Sequence, residues 1–282
     1  MLAALIIPQL WYSHLTAARH TSCALYMDIT MGDDQALANH IPDDVTICIT
    51  SCGRLDLLAQ TMASFRRFNQ GGRFIISEDS VNAQVIDEVK RSYPFALVLS
   101  DDERFGIMRS IDRLYTHVTT PYIFHLEDDW VFDGPVPWQA CMDVLDAHRA
   151  IANVCVRSFD EVKEKYRKRS SPLTQSGLLF HVMKLDAHPE FFSWSPNPGL
   201  IRLDLYERYK PFARVMPDQM SGVMKKDGLT MAYCAKGVAR HIGHGRNVTD
   251  PTMPERPKSY PAKWLRAFKK KLYYYGLRKE PF

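Results

Sequence analysis

The sequence predicts an α/β protein with a mostly parallel central sheet flanked by helices. Three observations support this. Short β-branched or apolar runs at 45–50, 74–76, 95–99 and 122–126 alternate with segments whose apolar residues recur at helical spacing. Such alternation favours right-handed crossovers between parallel strands. Every one of these runs ends in polar or charged residues, which gathers them along one edge of the sheet, where ligands of open α/β sheets bind. Finally, 282 residues with 46% hydrophobic content can bury one full core. We expect a lead-in over 1–43, one domain over 44–250 and a tail over 251–282.

Taken in order, residues 1–43 read as irregular or weakly helical, ending at Pro42, Asp43 and Asp44. The run VTICIT at 45–50 is the first strand. It stops at Ser51, Cys52, Gly53 and Arg54, and Asp56 is placed to cap a helix carrying Leu58, Met62 and Phe65 on one face. Gly71 and Gly72 close that helix. The second strand, 74–76, ends in Ser77, Glu78, Asp79 and Ser80, and Val81, Val85 and Val89 mark the next helix. The third, 95–99, ends in Ser100, Asp101, Asp102 and Glu103. After Gly106, a helix bears Ile107, Ile111, Leu114 and Val118, and the strand 122–126 follows.

That fourth strand runs straight into Glu127, Asp128 and Asp129. Three adjacent carboxylates repel one another unless something positive sits among them. A solvated acidic turn is one reading. The other is a site for Mg²⁺ or Mn²⁺, which prefer one or two carboxylates plus substrate phosphates. Acids after three of the four strands favour the site.

Other chemistries are poorly supported. There is no Walker A motif, no GxGxxG after the first strand, no GxSxG elbow and no HExxH. The six cysteines form no CxxC pair and no zinc spacing, so they read as reduced thiols of a cytoplasmic protein. The apolar stretch at 1–7 is interrupted by Pro8 and is too short to span a bilayer. Nine of the 36 basic residues, and no acid, lie between 256 and 279, so the remainder of the chain is net acidic despite the overall +4. A net-acidic body offers no broad nucleic-acid face.

The succession TSCGRLD, SEDS, Gly106 and YIFHLEDDW resembles the nucleotide-sugar-binding half of a family 2-like glycosyltransferase with the GT-A fold, over about 45–132 and again over 216–246. The resemblance implies that Thr50, Ser51 and Arg54 meet the nucleotide and that Asp79 contacts base or ribose. It matches Glu127-Asp128-Asp129 to the DxD motif, with Asp129 on the metal and Glu127 on the sugar or ribose side. The first position is Glu where the motif has Asp.

In the second half, a helix from 138 to about 149 and a short strand at 153–156 precede a charged run at 161–169, read as solvated or phosphate-contacting. Phe191, Phe192 and Trp194 before a Pro/Gly turn read either as a sugar platform or as core. A helix begins near Pro217 and ends at Gly228, and Asp218 either caps it or, by the resemblance, serves as the catalytic carboxylate. His241 and His244, in a Gly-rich loop beside Arg246, suit a diphosphate–metal site. By the resemblance His241 is the preferred further metal ligand, with His244 the alternative. From Lys258, basic residues alternate with Trp264, Leu265, Phe268, Leu272 and Tyr275, a pattern of a helix lying on an anionic membrane surface or packing on its own domain.

The expected function is an inverting, Mn²⁺- or Mg²⁺-dependent glycosyltransferase moving a sugar from a UDP- or GDP-sugar to a glycan or lipid-linked acceptor. By analogy it serves surface polysaccharide or lipopolysaccharide assembly, in the cytoplasm or peripherally on the inner membrane face. The alternatives are a nucleotidyltransferase that makes nucleotide sugars and a non-catalytic glycan-binding protein.

Overall fold

The computed structural model describes residues 39–252 and 257–278. Most of the expected lead-in, 1–38, and Cys23 with it, lies outside the described residues. Its last part packs with the domain: Asn39–His40 pairs in parallel with Asn69–Gln70, and Ile41 is fully buried.

β1 (Val45–Ser51) is buried along its whole length, which explains a continuous β-branched run without polar alternation. Its side chains still divide by period two: Val45, Ile47 and Ile49 join the core on one sheet face and Cys48 the core on the other. Gly53, at φ +75°, turns the chain into α1 (Leu55–Phe68). This helix packs Leu58, Met62 and Phe65 inward. Phe65 is the hub of that core, its ring 5.8 Å from Phe124, 5.0 Å from Phe132 and 6.3 Å from Trp138. Burial of one such ring is worth about 1.5–3 kcal/mol. Asp56 stands in the first turn of α1 and not at its cap, which is Arg54 without a side-chain capping bond.

β2 (Arg73–Glu78) is followed by α2 (Ala83–Ser92), which is capped by Asn82: its Oδ1 accepts from the Gln84 and Val85 amides. Val81, expected on this helix, precedes it at φ +58°. β3 (Ala96–Leu99), α3 (Ile107–Tyr115) and β4 (Tyr122–Glu127) complete the predicted alternation. β5 (Trp130–Phe132), α4 (Trp138–Ala147) and β6 (Ile151–Cys155) follow.

β7 (Ser170–Gln175) and β8 (Leu178–Met183) form a hairpin through Ser176 and Gly177, both at positive φ, as a type I′ hairpin turn requires. Next come β9 (Gly199–Arg202), α5 (Leu203–Tyr209), α6 (Pro217–Lys226), β10 (Thr230–Cys234), β11 (Ala239–His241) and α7 (Tyr260–Tyr274). The nine-stranded sheet has the order β3-β2-β1-β4-β9-β6-β10-β8-β7. Neighbours β3/β2, β2/β1, β1/β4 and β6/β10 are parallel, while β9 runs antiparallel to both β4 and β6. The parallel run expected from the sequence is present in β3-β2-β1-β4, and the sheet as a whole is mixed, with β9 antiparallel at its centre and the hairpin β7–β8 antiparallel to β10 and within itself at the edge.

One further pairing determines where the site forms. β5 and β11 make a separate antiparallel ribbon that sets His241 opposite Trp130. The second half of the chain thereby delivers a histidine beside the acids that end β4.

Candidate functional site

The carboxyl ends of β1, β2 and β4 open into a cleft of about 350 Å³. Thr50, Ser51, Arg54, Asp79, Glu127, Asp128, Asp129 and His241 all line it. Asp218 does not; the neighbouring Pro217 does. Asp218 is half-buried in the first turn of α6, whose cap is Met216, and the Met216 amide donates to Gln219 Oε1 at 2.9 Å.

The positive charge among the three acids is Arg54. Its Nη1 lies 2.8 Å from Asp129 Oδ2, its Nε donates to Asp128 Oδ2 at 3.2 Å, and its Nη2 pairs with Asp128 Oδ1. Asp128 also accepts from Ser51 Oγ at 3.3 Å, so the end of β1 and the end of β4 are tied through one carboxylate. Burial nevertheless pushes Asp128 up to about 6, with the Arg54 charge pulling the other way. Glu127 accepts from Trp130 Nε1 at 3.3 Å, and burial followed by the Asp129 charge pushes it up to about 8.

Asp129 is 6% exposed, and its two oxygens differ. Oδ2 faces Arg54 and lies 3.3 Å from His241 Nε2. Oδ1 is buried and has no hydrogen-bond partner. Gly243 packs so closely that any side chain there would run into this carboxylate. His244 lies 4.8 Å from His241 between ring centroids but is exposed, and of the two only His241 lines the cleft. Among the described residues no three or more His, Cys, Asp and Glu side chains are grouped to hold a metal ion. Asp129 and His241, one carboxylate and one imidazole, fit a hard cation whose other ligands come from a diphosphate and water.

Other acids brace loops. Glu78 Oε1 accepts from the Gly53 amide at 2.9 Å and the Ser80 amide at 3.0 Å. Both Asp79 oxygens accept main-chain amides, from Phe105 at 2.7 Å and Gly106 at 3.0 Å. Asp250 accepts from the Ile107 amide at 2.8 Å and sits against Gly106, whose φ of +75° and lack of a Cβ permit that approach. These carboxylates complete the donor-rich start of α3 and hold the cleft wall in place.

The segment 246–250 closes one side of the cleft. Arg246 forks onto Asp56 at 2.6 and 2.8 Å, its carbonyl accepts from Arg54 Nη1 at 3.2 Å, and Arg104 Nη2 donates to the Thr249 carbonyl at 2.8 Å. Asn247 and Val248 line the cleft between these ties.

Four buried polar atoms on cleft-lining residues have no partner: Thr50 Oγ1, Ser110 Oγ, Arg104 Nε and Asp129 Oδ1. Native proteins leave few such groups unpaired, and they mark places where a ligand or water completes the bonding. Arg104, Ser110, Asn247 and Asp250 were not nominated by sequence. Arg104 directly follows the acidic loop after β3, and Ser110 lies one turn into the helix after Gly106. Phe192 and Trp194 are core residues, 8% and 2% exposed, and only Pro196 of that aromatic stretch reaches the cleft.

No protein-family model matches the chain, and no curated protein is similar to it in sequence. Solved structures resemble it in fold. Against TarS 1-349 of S. aureus in complex with UDP-GlcNAc, the TM-score is 0.52 at 11% identity, over 73% of this chain and 61% of that one. Against GalNAc-T7 with UDP, GalNAc and Mn²⁺, it is 0.51 at 10% identity, over 85% of this chain and 49% of that one. The chain thus spans about half to three-fifths of the length of these structures. The likeness establishes the GT-A fold expected from the sequence.

Proposed function

We propose that the protein is a glycosyltransferase that takes a nucleoside-diphosphate sugar into this cleft and moves the sugar to a hydroxyl of a glycan or lipid-linked acceptor. The observation that carries this reading is the convergence on one cleft of the polar ends of β1, β2 and β4, His241 and four unpartnered buried polar atoms. The solved structures of the same fold hold UDP-GlcNAc in one case and UDP, GalNAc and Mn²⁺ in the other, which supports a donor of that class.

Charge supports a metal. Five acidic side chains line the cleft; with Glu127 pushed up to about 8 and so largely uncharged at neutral pH, four carboxylates face two guanidiniums and one imidazole, and Asp128 and Asp129 are already engaged by Arg54. A diphosphate is repelled from such a surface unless a cation accompanies it. Asp129, through its unpartnered Oδ1, and His241 would hold Mn²⁺ or Mg²⁺. The ion supplies charge stabilisation for the departing diphosphate. Arg54 holds Asp129 in position, and Thr50, Ser51 and Arg104 offer polar groups to the nucleotide. Asp79 acts by fixing the loop at Phe105 and Gly106.

Inversion requires a base on the acceptor side of the sugar. Asp218 takes that role here: it follows cleft-lining Pro217 on a helix whose amino end abuts the cleft. A nucleotidyltransferase is less favoured, because its chemistry needs a basic loop after β1 and the Arg54 guanidinium is committed to two carboxylates. The test is nucleotide release from a panel of UDP-, GDP-, CMP- and dTDP-sugars with Mn²⁺ and saccharide acceptors. One donor should be consumed, and Asp218→Asn should lower kcat by about 10²–10⁴-fold with donor affinity retained. No release from any donor contradicts the activity.

A further inference from the structure

The tail helix α7 presents two different faces. It starts after Ser259 with Pro261 in its first turn, where the missing amide costs nothing, and ends before Gly276 at φ +73°. Ala262, Arg266, Lys269 and Tyr273, spaced four, three and four apart, form a half-buried strip. Tyr260, Trp264 and Phe268 lie on the other side at 82%, 62% and 46% exposure, continued by Tyr275 at 71% beyond the helix. The Trp264 and Phe268 rings stack 5.5 Å apart at 3°. Lys263 and Lys271 are exposed and, eight residues apart, lie along one side of this aromatic ridge by helical geometry. None of the described side chains of α7 is buried, so the helix does not enter the domain core.

We propose that α7 docks the protein on an anionic lipid surface, with the aromatic ridge at the headgroup level and the flanking lysines among lipid phosphates. Charge complementarity identifies the occupant: no acid occurs from 256 to 279, whereas the rest of the chain is net acidic and is repelled by the same surface. That opposition directs the tail toward the lipid. Aromatic rings with a polar edge favour the interface over the hydrocarbon, and lysines extend beside them to the headgroups. Length settles lying against spanning. The 15 residues of α7 give about 22 Å at 1.5 Å per residue, short of a hydrocarbon core of about 30 Å, and no helix among the described residues is long and apolar enough to cross a membrane. This inference stands independently of the donor chemistry.

The test is co-sedimentation of the full chain with vesicles of phosphatidylcholine alone and of phosphatidylcholine doped with phosphatidylglycerol. Binding is expected on the doped vesicles only. Lys263→Gln with Lys271→Gln should weaken it about thirtyfold, and Trp264→Ser with Phe268→Ser should abolish it. All four side chains are exposed, so melting temperatures should stay unchanged and report intact folding. Absence of binding to doped vesicles, or binding indifferent to both double variants, overturns the proposal. So does a dimer in vesicle-free solution that Trp264→Ser with Phe268→Ser dissolves, since a second copy would then cover the ridge.

Discussion

Arg54 and Asp129 meet at 2.8 Å, Nη1 to Oδ2, at the point where the ends of β1 and β4 come together. The same guanidinium forks onto Asp128, which is 1% exposed. The acids that end β4 are thus held by a residue of the loop after β1.

Removing Arg54 leaves buried carboxylates uncompensated. Arg54→Ala should cost about 3–5 kcal/mol in urea unfolding. Arg54→Lys should recover only part of that, because an ammonium cannot fork onto two carboxylates as a guanidinium does.

Cys52 reports on the cleft it lines. Burial pushes its thiol up to about 11, so alkylation near pH 8 proceeds slowly through a small thiolate fraction. A bound nucleotide sugar with Mn²⁺ should slow it further, as read by peptide mass mapping. Cys48 and Cys155 are fully buried and should stay unmodified in the native protein with or without ligand.

The Arg246–Asp56 fork joins side chains that are 47% and 59% exposed. Pairs this exposed contribute under about 1 kcal/mol, so Arg246→Ala should barely change stability. The fork restrains the segment 246–250 that lines the cleft, so donor KM should rise. Asp56→Ala should raise it equally, and the double variant no further, because both remove one tie.

Lys225 donates to the Phe191 carbonyl at 2.6 Å and to the His188 carbonyl, and burial lowers it to about 8 from the usual lysine range. The native state therefore holds this proton less tightly than the unfolded chain does. Stability from this group is lowest below about pH 8 and rises as pH climbs from there toward the ordinary lysine value. Lys225→Met should consequently cost more stability at pH 9.5 than at pH 7, measured by denaturant titration at both. An identical cost at the two pH values contradicts the shift.

The first half of the fold is legible because each strand is an apolar run closed by polar residues, and each helix has a periodic face. The hairpin β7–β8 is harder to read. It lies at the sheet edge, with Pro172 in the outermost strand and little alternation, and its clearest signal is the Ser176–Gly177 turn. β9 is four residues after a Pro-rich stretch, too short for periodicity to reveal. At the site, residue types and order located the cleft, but not which charges pair. Asp56 reads locally as a cap, and only the return of the segment at 246 gives it Arg246 instead. Likewise the acids after β4 call for a cation, and the sequence does not disclose that Arg54 already lies between two of them.

The proposed nucleotide-sugar site uses Asp129 and a divalent cation. Its most direct test is the melting temperature with UDP-, GDP-, CMP- and dTDP-sugars, with and without Mn²⁺, in the native chain and in Asp129→Asn. A ligand that binds only the folded state raises the melting temperature by mass action. The predicted result is an upward shift that needs one nucleotide sugar and Mn²⁺ together and disappears in Asp129→Asn. No shift with any nucleotide sugar, in protein that melts cooperatively, contradicts it.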